Sequence, residues 1–115
     1  MPEPRGIDNV FVDVADLDDG VAWYERVAGL RVKLRTPDMA VLEVGGDVAG
    51  VVLVRSESVT PARLWFEVVD AAAVAAELST VTFPIPTGLT TRITDPWGNE
   101  IGFTDYTLRP ELARP

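Results

Sequence analysis

The chain has 115 residues, no cysteine, no histidine and a net charge of -8 at neutral pH. The missing residue types exclude disulfides, zinc thiolate sites and every nucleophile that a histidine activates. The negative charge argues against nucleic acid or anionic membrane surfaces as partners, because both repel an acidic protein. No segment approaches the roughly 20 apolar residues that span a bilayer, so the sequence predicts a cytoplasmic protein.

The first half of the chain predicts one strand, one helix and three further strands. Residues 7–14 alternate polar and apolar side chains, which indicates a strand. Asp16 is placed to cap a helix, and Gly29 is placed to end it. Turn residues around Pro37 and Gly45 separate the strands that follow. The predicted strands are about 7–14, 30–35, 39–44 and 48–55.

The second half repeats this order. Asp70 is placed to cap a short alanine-rich helix that ends near residue 78. Residues 95–98 (Asp-Pro-Trp-Gly) have the composition of a type I turn. Prolines at 84 and 86 block ladder hydrogen bonds, which predicts a sheet edge or an interface there. The predicted strands are about 63–69, 80–83, 90–94 and 100–106, and 107–115 reads as a polar tail.

The two halves align directly. Residues 9–16 match 63–70 without a gap, so that the caps Asp16 and Asp70 coincide. This pattern indicates an internal duplication. The sequence therefore predicts an α+β fold of two βαβββ modules in a single domain covering 1–115. Module one covers about 6–56, module two about 62–106, and the C-terminal tail 107–115.

Several motifs together resemble the vicinal oxygen chelate superfamily, which includes glyoxalase I, extradiol dioxygenases and the fosfomycin- and bleomycin-resistance proteins. The motifs are Ile7-Asp-Asn-Val-Phe-Val, Trp23-Tyr24 followed by Gly29-Leu30, Leu64-Trp-Phe-Glu-Val before Asp70, and Asp95-Pro-Trp-Gly-Asn-Glu-Ile. The resemblance implies eight strands wrapped around a U-shaped cleft. It also implies a homodimer, in which the partner would cover open sheet edges.

Metal-bearing members of that superfamily place four ligands on strands that face the cleft, usually histidine or glutamine, glutamate, histidine and glutamate. Carried onto this chain, the four positions fall on Asn9, Leu53, Arg63 and Gly102. Leucine and glycine offer no side-chain ligand, and the charge of arginine opposes a cation. The resemblance therefore implies a member with no metal and no other cofactor.

Strand alternation identifies the residues that would line the cleft, because side chains along a strand point to alternate faces. The opposite faces are uniformly apolar and are expected to pack under the helices. Phe11 and Trp65 could stack on a flat ligand, Arg63 could pair with an anionic group, and Gly102 leaves space. The predicted ligand-binding residues are Asn9, Phe11, Asp13, Leu53, Arg55, Arg63, Trp65, Glu67, Glu100, Gly102 and Thr104.

The leading hypothesis is metal-independent binding of an aromatic or hydrophobic small molecule, in its sharpest form antibiotic sequestration. A second hypothesis is an enzyme of the same superfamily, a lyase, isomerase or dioxygenase with unconventional ligands, or a metal-free acid–base catalyst. No motif specifies a reaction, so no catalytic residue is predicted. A third hypothesis is an interaction module in which the aromatic residues fill the cavity and the charged residues form cross-strand ion pairs.

Overall fold

The computed structural model describes residues 2–5, 7–46 and 48–115, and the chain divides into two compact units, Met1–Pro61 and Ala62–Pro115. Among the described residues, each unit has one strand, one helix and three more strands, so the predicted α+β arrangement of two βαβββ repeats is confirmed. Unit 1 contains β1 (Asn9–Val14), α1 (Leu17–Ala28), β2 (Arg31–Arg35), β3 (Met39–Glu43) and β4 (Gly50–Arg55). Unit 2 contains β5 (Arg63–Glu67), α2 (Ala71–Leu78), β6 (Thr82–Ile85), β7 (Gly88–Thr94), β8 (Glu100–Thr104) and a short 3-10 helix, Pro110–Leu112.

Helix α1 begins and ends where the sequence predicts. The Asp16 carboxylate accepts a hydrogen bond from the backbone N–H of Asp19 at 2.9 Å, and Gly29 ends the helix with a φ of 71°. Its buried stripe includes Gly20, where a Cβ would lie 3.1 Å from Cγ2 of Val14 and 3.4 Å from Cδ1 of Leu53. The absent side chain lets the helix approach the sheet closely.

In unit 1 the strand order is β1-β4-β3-β2, with β1 parallel to β4 and the other pairs antiparallel. Helix α1 packs on β3 and β4. We call the sheet face opposite the helix the open face of the unit. Asn9, Phe11 and Asp13 lie on this face, because the buried Val12 and Val14 alternate with them and Val14 lies under Gly20 of the helix.

The predicted facing of β4 is wrong by one residue. Leu53 pairs with Val12, is fully buried and lies under Gly20, so it belongs to the helix face. Arg55 pairs with Val14 and lies on that same face of the sheet. The open-face residues of β4 are instead Gly50, Val52 and Val54, which pair with Asn9, Phe11 and Asp13.

Unit 2 has the equivalent strand order, β5-β8-β7-β6, and α2 packs on β6, β7 and β8. Asp70 caps α2 by accepting from the N–H of Ala73 at 3.2 Å. Strand β6 contains Pro84 and lies at the edge of its sheet, as the prolines predict. It begins two residues later than expected, and β7 begins two residues earlier.

The Asp95–Gly98 turn has the predicted chemistry. The carboxylate of Asp95 accepts from the N–H of Trp97 and of Asn99 at 2.9 and 2.8 Å, and Gly98 has a φ of 92°. Asn99 is fully buried, and its side-chain oxygen accepts from the N–H of Ala62 just before β5. The turn therefore fixes the start of β8 against the start of β5.

Within the residues that the structure describes, no helix is both long and apolar enough to cross a membrane.

Candidate functional site

The open face of unit 2 brings together the six residues that the sequence assigns to it. Register pairs Arg63 with Glu100, Trp65 with Gly102, and Glu67 with Thr104. The intervening residues Leu64, Ile101 and Phe103 are buried on the helix face. The alternation of β5 and β8 is thus the predicted one.

The indole of Trp65 lies over Gly102 of strand β8. A Cβ on residue 102 would lie 2.5 Å from Cδ1 and 2.7 Å from Nε1 of the indole, far inside van der Waals contact. The tryptophan is nevertheless 45 % exposed. Because residue 102 has no side chain, the indole ring can lie over it and still remain accessible to solvent.

Glu100 lies beside the indole and is contacted by three groups. Its Oε2 accepts from Nε of Arg63 at 2.9 Å and from Nε1 of Trp65 at 3.3 Å. Nη1 of Arg92 lies 3.8 Å from its Oε1. The Arg63 hydrogen bond is the main cause that lowers the pKa of Glu100; desolvation opposes it, and Trp65 and Arg92 add to it.

Sequence reasoning missed Arg92 and Phe83. Arg92 pairs with Gly102 from the other side of β8, and its Cζ lies 4.6 Å from the centre of the Phe83 ring. The alternation of Thr90, Arg92 and Thr94 with Thr91 and Ile93 was the available signal. Strand β7 carries none of the four superfamily ligand positions, so the resemblance does not bring Arg92 into the predicted site.

Glu67 and Thr104, at the far end of the same face, are engaged within unit 2. Glu67 accepts from the backbone N–H of Arg114 at 3.0 Å and from its Nη1 at 2.6 Å. The hydroxyl of Thr104 lies 3.1 Å from that of Thr90. A cavity of about 490 Å³ adjoins Glu67, between the end of β5 and the chain around Tyr106 and Pro110.

On the open face of unit 1, Phe11 is 62 % exposed. Asp13 accepts from the backbone N–H of Thr60 at 3.0 Å. Asn9 donates to the carboxylate of Asp8 at 3.1 Å and adjoins a cavity of about 680 Å³. That cavity is also lined by Lys33 and Gly50, among others. Arg55, on the helix face, forms an ion pair with Asp38 at 3.6 Å.

The residues present do not fit the metal site of the metal-bearing members of the superfamily. No group of three or more acidic side chains in the described part of the chain is arranged to hold an ion. The β4 residues on the open face of unit 1 are Gly50, Val52 and Val54, none of which has a ligating side chain. In unit 2 the carboxylate of Glu100 already contacts two guanidinium groups, whose charges oppose a cation.

No protein-family model and no curated protein matches the sequence. Solved structures do match. The antibiotic-binding protein TnmS3 from Streptomyces sp. CB03234 has a TM-score of 0.79 at 21% identity, over 93% of this chain and 100% of that one. The glyoxalase / bleomycin resistance protein from Catenulispora acidiphila has a TM-score of 0.70 at 22% identity, over 87% and 98%. The chain has the glyoxalase/bleomycin-resistance fold.

Proteins of different activity share this fold. A bleomycin-binding protein from Streptomyces verticillus, solved with copper(II)-bleomycin, has a TM-score of 0.71 at 21% identity, over 91% of this chain and 98% of that one. Lactoylglutathione lyase from Agrobacterium tumefaciens has a TM-score of 0.73 at 21% identity, over 94% and 98%. Because binding proteins and enzymes both occur among proteins with the glyoxalase/bleomycin-resistance fold, function must be argued from the open-face residues.

Proposed function

We propose that this protein is a metal-independent member of the vicinal oxygen chelate superfamily that binds an aromatic or hydrophobic small molecule. The observation that carries the proposal is the indole of Trp65, which is held over Gly102 and is 45 % exposed. An accessible aromatic ring on a sheet face, fixed by its own strand neighbours, is suited to stacking on a flat ligand. Such ring pairs contribute about 0.5–1.5 kcal/mol beyond the burial of their area.

Phe11 supports the same proposal from unit 1, where it occupies the equivalent strand position to Trp65 in the duplication. Both rings stand on open faces, whereas the neighbouring apolar residues Val12 and Leu64 are buried. Each ring therefore presents exposed apolar surface that a flat ligand can cover. Antibiotic binding, named for two proteins of the same fold, gives the sharpest form of the proposal, which is drug sequestration.

The charge chemistry of the open face favours binding over catalysis. A general acid at neutral pH needs a raised carboxyl pKa, whereas Arg63 holds the pKa of Glu100 below its ordinary value. Glu67 is bonded to Arg114, and Asp13 accepts from the backbone of Thr60. These engagements disfavour the acid–base enzyme alternative.

The proposal includes a homodimer. Strands β1 and β5 are sheet edges within their units, and neither contains a proline that would block pairing. Sedimentation velocity at micromolar concentration should give twice the 12.5 kDa mass of one chain. A single species of monomer mass would contradict this part of the proposal.

The test measures tryptophan fluorescence and thermal unfolding while planar aromatic antibiotics are added to the protein. A separate series adds divalent metals. A ligand at 100 times its Kd stabilises the native state by about 2.7 kcal/mol, which raises the melting temperature. Trp65→Ala should weaken binding by about tenfold, equivalent to about 1.4 kcal/mol. Trp97→Phe, in the Asp95–Gly98 turn, is the matched control and should bind as the parent protein does. Stabilisation by one metal ion per site, reversed by a chelator, would instead favour the metalloenzyme.

A further inference from the structure

We infer that the open face of unit 2 selects a planar aromatic anion, a flat ring that carries a carboxylate, sulfonate or phosphate group. This inference rests on the proposed stacking on Trp65 and adds the charge of the ligand. Its basis is the arrangement of Arg63 and Arg92 around one carboxylate, that of Glu100. Two guanidinium groups share one counter-charge, so the cluster has an excess of positive charge.

Each guanidinium group has more N–H donors than its contact with Glu100 uses. Arg63 contacts Glu100 through Nε, and its side chain is 70% exposed. Arg92 approaches the same carboxylate through Nη1 at 3.8 Å, and its side chain is 38% exposed. Because a guanidinium has five N–H donors, both can bind a second anion while they keep Glu100.

The order of the strands places the ring next to the charge. Gly102 pairs with Trp65 on one side and with Arg92 on the other, so these three residues form a row across the sheet. Neighbouring strands lie about 4.8 Å apart, so the backbones of Trp65 and Arg92 are about 10 Å apart. The indole itself extends over Gly102, and both the indole and the Arg92 guanidinium approach the carboxylate of Glu100. A flat ring stacked on the indole therefore lies beside the Arg92 guanidinium, which can pair with an anionic substituent of that ring.

Two further contacts favour an anion at this position. The Phe83 ring, 4.6 Å from Cζ of Arg92, holds that guanidinium in place and reduces the entropy lost on binding. The other carboxylate of β5 on this face, Glu67, is bonded to Nη1 of Arg114 at 2.6 Å, so its repulsion of an anion is reduced. This local positive charge stands out in a chain whose net charge is -8.

The test uses 2-naphthoate and 2-naphthamide, which have the same ring and nearly the same shape but differ in charge. Isothermal titration should give at least tenfold tighter binding of naphthoate at low ionic strength, and salt should reduce this preference. Arg63→Gln and Arg92→Gln should each lower the naphthoate affinity several-fold and leave the naphthamide affinity unchanged. Arg31→Gln, which removes an exposed cross-strand pair with Glu43 in unit 1, is the matched control and should change neither affinity.

Glu100→Gln gives a test by gain of affinity, which misfolding cannot mimic. It removes the competing carboxylate, so naphthoate should bind several-fold tighter and naphthamide as before. Equal binding of both probes to the parent protein would overturn the anion inference and leave the proposed stacking intact. A naphthoate preference that survives the double variant Arg63→Gln/Arg92→Gln would also overturn it. Failure of both probes to bind would overturn the stacking proposal as well.

Discussion

The indole of Trp65 occupies the space that a side chain at position 102 would need. A Cβ on residue 102 would lie within 3 Å of three ring atoms of Trp65, so glycine is required for the ring to lie across β8. The two residues are also direct register partners in the parallel pair of β5 and β8. Position 102 is one of the places where the superfamily resemblance puts a metal ligand, and here it supports an aromatic surface instead.

Gly102→Ala should therefore displace Trp65. Because the new methyl group meets the five-membered part of the ring and not a flexible end, we expect a destabilisation of about 1–3 kcal/mol and loss of aromatic ligand binding. Urea unfolding and the fluorescence maximum of the tryptophans measure the two effects.

A double-mutant cycle assigns the stability effect to this contact. In a Trp65→Ala background the Gly102→Ala change should be nearly neutral, because the ring it meets is gone. If Gly102→Ala destabilises the protein equally in both backgrounds, the strain does not come from contact with the Trp65 ring.

The sequence predicts which side chains of β5 point to the open face but not which side chains of β4 do, for a physical reason. Arg63 and Glu67 are polar residues two positions either side of Trp65, and buried Leu64 alternates with them, so one frame is clearly favoured. Residues 51–54 are Val-Val-Leu-Val, and because all four are apolar, the pattern does not indicate which of them face the helix. Only the pairing of Asn9 with Gly50 decides that Leu53 lies under α1. The order of elements, the helix caps and the Asp95–Gly98 turn were predictable because their signals are local.

The pKa of Glu100 should report on its arginine neighbours. In the parent protein its pKa lies below the ordinary value, chiefly because Arg63 donates to its carboxylate. Arg63→Gln should move that pKa upward, towards the ordinary value, in a carboxyl-detected NMR titration. Arg109→Gln, which removes an exposed ion pair with Glu111 and not a partner of Glu100, is the matched control and should leave the pKa of Glu100 as it is in the parent protein. A pKa of Glu100 at or above its ordinary value in the parent protein would contradict the geometry.

The contact between Glu67 and Arg114 should hold the C-terminal segment without adding much global stability. Arg114 has a 65% exposed side chain, and exposed ion pairs contribute about 0–1 kcal/mol. Arg114→Ala should thus change the free energy of unfolding by less than about 1 kcal/mol but speed hydrogen exchange of the 3-10 helix Pro110–Leu112. Arg31→Ala, which breaks an exposed ion pair with Glu43 in unit 1, is the control and should leave that exchange unchanged. Unchanged exchange in Arg114→Ala would show that the segment is held by other contacts.

Asp105 is a structural carboxylate that sequence reasoning overlooked. It is fully buried and accepts from the backbone N–H groups of Ala71 and Leu89 at 2.8 and 2.9 Å, and from the N–H and hydroxyl of Thr107. It therefore joins the end of β8 to the start of α2 and the start of β7. Burial alone would raise the pKa of Asp105, but these hydrogen bonds together outweigh it and lower the pKa.

Asp105→Asn should destabilise the protein by about 1–3 kcal/mol, because an amide group cannot accept all four hydrogen bonds and a buried donor loses its partner. Asp70→Asn, at the cap of the same helix, is the matched control and should be nearly neutral, since asparagine caps as well as aspartate.

A lowered folded-state pKa of Asp105 gives stability that is present above the ordinary aspartate value of 3.8 and is lost as the pH falls through the folded-state pKa. The difference in unfolding free energy between parent and Asp105→Asn should accordingly be largest near neutral pH and shrink on acidification below about pH 4. A difference that stays constant down to pH 2.5 would mean that Asp105 does not titrate as this hydrogen-bond network requires.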